Sequence, residues 1–85
     1  MTKFEKLRKR FLSKPTDFTF SEIKKLLNSF GYIEIKSGKT AGSRAAFYND
    51  ESQHIIRLHK PHPSNRVKRY VLDYLEKELR DMGII

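Results

Sequence analysis

Apolar positions recur at two periods along this chain, and each change of period marks a new element. Phe4, Leu7 and Phe11 repeat at helical spacing among Lys3, Lys6, Arg8, Lys9 and Arg10, which predicts an amphipathic helix over Met1–Leu12. Lys14-Pro15 stops it, because the residue before a proline is pushed out of helical geometry. A second helix follows over Thr19–Phe30. Thr19 is its N-cap, Glu22 completes a capping box, and Phe18 and Ile23 stand at the staple positions. Ile23, Leu26, Leu27 and Phe30 share one face, and Gly31 ends the run. The period then falls to two. Ile33 and Ile35 alternate with Tyr32, Glu34 and Lys36. Ala45 and Phe47 alternate with Arg44, Ala46 and Tyr48, and Ile56 and Leu58 with Ile55, Arg57 and His59. The polar run Asn49-Asp50-Glu51-Ser52 supplies a turn between the last two strands. From Ser64, a second candidate cap, Val67, Val71, Leu75, Leu79 and Met82 trace the inner side of a closing helix, with Tyr70, Leu72 and Tyr74 broadening it.

These elements imply an α+β fold, a three-stranded antiparallel meander with helices packed on one face, because that arrangement buries every apolar stripe together. Residues 1–15 form an amino-terminal helical extension and residues 16–85 the domain proper. Ile33, Phe47 and Ile56 are expected on the inner face of the sheet. If Tyr48 faces Gln53, Arg44 lies opposite Arg57, and His59 faces Gly42. Like charges directly across a sheet repel, so a surface that keeps them suits an anion.

Charge sharpens this picture. Eighteen Lys and Arg against ten Asp and Glu give a net charge of +8, which fits a polyanionic partner such as nucleic acid and also an acidic protein. The absence of cysteine excludes disulfides and thiolate zinc sites. No apolar run approaches membrane-spanning length and the first residues lack a secretory core, so the expected compartment is the cytoplasm, with no membrane partner.

Candidate chemistry is confined to a few places. Gly38-Lys39-Thr40 shares the end of a phosphate-binding loop, but neither Ile33 nor Glu34 supplies the required earlier glycine, so a nucleotide P-loop is dismissed. Lys39 remains a basic loop residue within reach of a phosphate. Arg66, Lys68 and Arg69 put positive charge into the first turns of the closing helix, the end where a helix dipole favours negative charge or a bound phosphate. A solvated charged surface accounts for them equally well. His54 shares parity with Ile56 and Leu58 and is expected to be a partly buried covering ring. His59 lies with Arg57 toward the basic face, and His62 sits in the rigid Lys60-Pro61-His62-Pro63 turn. Neither has a nearby cysteine or convergent carboxylate in sequence, so no metal site is expected.

Gly42-Ser43-Arg44-Ala45-Ala46-Phe47, the strand Ile55–His59, and Lys60-Pro61-His62-Pro63 before a basic helix resemble the HicA toxin family. The resemblance extends over Phe18–Ile85 and implies a fold like the double-stranded-RNA-binding domain, one helix, three strands and one helix. It also implies a ribosome-independent endoribonuclease acting on mRNA and neutralised by a HicB-like antitoxin. The family's catalytic histidine follows the Gly-Ser pair, and here that position is Arg44. Arginine stabilises developing negative charge but cannot act as a general base near neutral pH. His59 is the leading replacement and His62 the second. In the implied mechanism one of them takes the proton from a ribose 2′-hydroxyl, which attacks the adjacent phosphate without metal or other cofactor. Ser43, Arg44, Arg57, Lys60, Lys39, Arg66, Lys68 and Arg69 bind the RNA. The alternatives are a non-catalytic RNA-binding module, which Arg44 favours, and a basic protein-interaction domain.

Overall fold

The computed structural model describes residues 3–35, 44–59, 61 and 65–85. In chain order the elements are α1 (Lys3–Leu12), α2 (Phe20–Ser29), β1 (Tyr32–Ile35), β2 (Arg44–Asn49), β3 (His54–His59) and α3 (Arg69–Asp81). The strands form one antiparallel sheet in the order β1-β2-β3, the expected meander. Its inner face and the helices bury a single core that includes Phe18, Ile23, Leu26, Leu27, Phe47, Ile56, Leu72, Leu75 and Leu79.

The second helix follows from its local sequence. The Glu22 amide donates to Thr19 Oγ1 at 3.2 Å, and the Thr19 amide donates to Glu22 Oε1 at 3.1 Å, so two amide groups at the helix start are satisfied reciprocally. Gly31 follows the C-cap Phe30 at φ +93°, a conformation costly for any side chain, and a Cβ there would meet Asn49 Nδ2 at 3.3 Å. The stop is therefore steric as well as conformational.

The amino-terminal helix enters the core through its last turn. Phe11 is fully buried, with its ring centroid 5.9 Å from that of Phe18, while Phe4 is exposed. Arg10 locks the junction. Its Nε donates to Glu22 Oε2 at 2.8 Å, one terminal nitrogen donates to Asp17 Oδ1 at 3.0 Å, and its guanidinium lies over the Phe18 ring. Lys14 reaches Asp73 and Glu76 on α3, which ties the two ends of the chain together.

Three expectations change. Ile33 and Ile35 lie on the open face, 65% and 42% exposed, whereas Tyr32 is buried and Glu34 half-buried. Alternation tells which residues share a face, and only the layer above the sheet decides which face is covered. Here α2 covers the Glu34 side, where Lys24 pairs with its carboxylate at 3.1 Å. Tyr32 takes the core position because its hydroxyl finds His54 Nδ1 at 2.6 Å. The closing helix also begins later than Ser64. Lys68 is its N-cap and provides no side-chain cap. Residues 65–67 instead run extended against residues 18–20, with the Val67 amide donating to the Phe18 carbonyl at 2.8 Å and the Phe20 amide to the Asn65 carbonyl at 3.0 Å. Val67 is buried there. Its apolar character fitted a helix phase equally well, and the partner segment was not visible in local pattern. Tyr70 and Tyr74, expected to broaden the inner side, are 62% and 38% exposed.

Candidate nucleic-acid interface

The register of β2 and β3 differs from expectation by two residues. Asn49↔His54 is the closing pair, followed by Tyr48↔Ile55, Phe47↔Ile56, Ala46↔Arg57, Ala45↔Leu58 and Arg44↔His59. The cause is Asn49. It is buried, its Oδ1 accepts the Glu51 and Ser52 amides at 3.0 and 3.2 Å, and its Nδ2 donates to the Phe30 carbonyl at 3.1 Å. Asn49 is thus the last strand residue. The turn falls on residues 50–53, with Gln53 at φ +57°. Arg44 therefore lies across from His59, and the expected direct pairing of Arg44 with Arg57 does not occur. Arg57 is a diagonal neighbour of Arg44 instead. A two-residue shift preserves parity, so Phe47, Ile56 and Leu58 remain inward as expected.

The open face then reads as cross-strand rows. Ile33, Tyr48 and Ile55 form the first, and Ile35, Ala46 and Arg57 the second. The positions of Arg44 and His59 form the third. The surface grades from apolar at the Asn49 end to basic at the other. His59 and Arg57 are both exposed.

A cleft of about 260 Å³ opens beside β3, which is an edge strand. Arg57, Leu58 and His59 line it from the strand, and Tyr70, Val71 and Tyr74 from α3. Leu58 and Val71 are buried beneath it. The Tyr74 hydroxyl is held above its ordinary pKa by burial and by the charge of Glu78, against an opposing hydrogen bond from the Arg57 amide. Sequence periodicity missed this cleft because it assigned both tyrosines to the core. Their i, i+4 spacing was the available signal.

The remaining expected site residues divide into two groups. Arg66, Lys68 and Arg69 are exposed, at the extended segment, the N-cap and the first residue of α3 respectively. Lys39, Ser43, Lys60 and His62 lie outside the described residues. His54 is held on both ring nitrogens, by Tyr32 at 2.6 Å and by Glu78 Oε1 at 3.2 Å. Burial, followed by the charge of Glu78, raises the pKa of Tyr32. The ring bridges β1, β3 and α3, as a structural residue would. Among the described residues, no three His, Asp or Glu side chains converge as a metal site would require, and no helix is long and apolar enough to cross a membrane.

No family model, curated protein or solved structure matches the chain.

Proposed function

We propose that this protein is a metal-independent endoribonuclease of the HicA toxin type, cutting single-stranded mRNA at the basic end of the open sheet face. The observation that carries the reading is the register pairing His59 with Arg44, with Arg57 one diagonal away. The strand positions of a proton-transfer residue and two arginines thereby share one corner of the sheet. The order α2-β1-β2-β3-α3 supports a fold like the double-stranded-RNA-binding domain, and the Gly-Ser strand and Lys-Pro-His-Pro turn support the family.

In this mechanism His59 removes the proton from a ribose 2′-hydroxyl. The 2′-oxygen bonds to phosphorus, the bond from phosphorus to the 5′-oxygen breaks, and the imidazolium returns its proton to that leaving oxygen. The products are a 2′,3′-cyclic phosphate and a 5′-hydroxyl. Arg44, Arg57 and Lys60 stabilise the charge that develops on the phosphoryl oxygens, and Ser43, Lys39, Arg66, Lys68 and Arg69 hold the RNA backbone. His62 is the second candidate base. The required 2′-hydroxyl confines the chemistry to RNA. A HicB-like acidic antitoxin covers the same face, with the Ile33–Tyr48–Ile55 row as its apolar footing.

Cleavage of end-labelled single-stranded RNA by purified protein in chelator tests the reading. His59→Ala should lose roughly 10²–10⁴-fold in rate and retain most RNA affinity. Arg44→Ala and Arg57→Ala should weaken binding and flatten its salt dependence. Parental rates in both His59→Ala and His62→Ala would remove the mechanism. One observation favours a second reading: arginine occupies the position of the family's catalytic histidine. Tight RNA binding without cleavage by the parent would establish that binding-module alternative. Binding to acidic protein alone would establish the protein-interaction domain.

A further inference from the structure

We propose that the cleft between β3 and α3 holds one unpaired nucleobase of a single-stranded RNA, stacked on the ring of Tyr70. The proposal rests on the RNA-binding reading above and adds a base-binding subsite beside the phosphate-binding corner. Tyr70 and Tyr74 stand one helical turn apart and face the cleft together with His59 and Arg57, while Leu58 and Val71 close its floor. At about 260 Å³ the space is smaller than the roughly 300–1,000 Å³ clefts that enclose drug-sized ligands. One flat ring system suits it better than a folded peptide or a duplex edge.

Tyr70 is 62% exposed although its helix has a buried face available on Val71, Leu72, Leu75 and Leu79. A large ring in that position adds little to the core and presents much of its surface to solvent. Tyr74 is more enclosed than Tyr70, at 38% exposed, and lines the cleft one helical turn further along α3. Arg57, which lines the cleft, complements a phosphate flanking the base. A base paired in a duplex has no free faces to offer, so the subsite selects single strands.

The test is fluorescence anisotropy with a labelled mixed-sequence 12-nucleotide RNA, presented alone and annealed to its complement, at three salt concentrations. Loss of one stacked base costs roughly 5- to 150-fold in affinity. Tyr70→Ala should weaken single-strand binding within that range, leave duplex binding unchanged, and leave the salt slope unchanged because no phosphate contact is lost. Tyr70→Phe should bind as the parent does, since stacking needs the ring and not the hydroxyl. Circular dichroism of both variants should match the parent, as expected of an exposed position. If Tyr70→Ala binds single strands as the parent does, the subsite is overturned while the RNA reading stands. If the parent binds no RNA, both fall. Equal losses for single strand and duplex would also overturn the proposal, as would a loss of polyglutamate binding with RNA affinity intact.

Discussion

Asn49 shows how one side chain sets the geometry of the candidate site. Its amide spans two chain reversals, taking the Glu51 and Ser52 amides on one side and donating to the Phe30 carbonyl on the other. Asn49→Ala leaves those groups without their partner and should cost about 1–3 kcal/mol, measured by urea unfolding. Full stability in that variant would mean the turn is held by other contacts. The carboxylates of Glu22 and Glu76 act differently, through pH. Arg10 is the main influence holding Glu22 below its ordinary value of 4.5, and Lys14 followed by Arg80 does the same for Glu76. Carboxylates lowered in the folded state add stability above their unfolded pKa and lose it as pH falls through the lowered one. Stability should therefore decline below about pH 4.5, and Glu76→Gln should make that decline shallower in urea titrations at several pH values. An unchanged acid limb would dismiss these pairs as contributors.

At the scale of elements, β1 and the start of α3 are the informative cases. Four alternating residues in β1 carry two isoleucines on the open face, while Tyr32 takes the core position. Ile33→Thr should therefore shift stability by no more than about 0.5 kcal/mol, whereas Phe47→Ala should cost about 3–5 kcal/mol. Comparable losses in the two variants, compared by thermal and urea unfolding, would show that the assigned faces are wrong. In α3 the capping signal at Ser64 competed with a tertiary alternative, the pairing of residues 65–67 with residues 18–20. That pairing satisfies two backbone amides and buries Val67. It also moves Arg66 and Lys68 out of the helix's first turn, so only Arg69 remains there as a cation at the positive end of the dipole.

For the molecule as a whole, α1 supplies core as well as charge. A domain of this size has little apolar surface to bury, and Phe11 contributes a fully enclosed ring against Phe18. Phe11→Ala should cost about 3–5 kcal/mol, a large share of the roughly 5–15 kcal/mol that typically holds a small domain folded. A parental unfolding midpoint in that variant would mean that α1 lies outside the cooperative unit. The segment just after this helix reaches α3 through Lys14, so acid unfolding should loosen that contact. On the opposite side the sheet keeps an open face, apolar at the Ile33–Tyr48–Ile55 row and basic toward His59. That uncovered face and the edge beside β3 leave room for a partner.

Local sequence was sufficient wherever the decisive interactions lie within a few residues. The Thr19–Glu22 capping box, the Gly31 stop, the strand alternation and the meander order all depend on short-range sterics and hydrogen bonding, and all were legible in advance. Proximity of His59 to Arg44 was legible as a diagonal, but their direct pairing depended on Asn49 reaching Phe30, a contact between distant parts of the chain. Which face of β1 is covered, where α3 begins and where Tyr70 points were decided by packing between segments far apart in sequence. Periodicity reports the phase of an element, and the neighbour that completes the burial sets its direction. The cleft beside β3 exists only because a strand and a helix from separate stretches meet there.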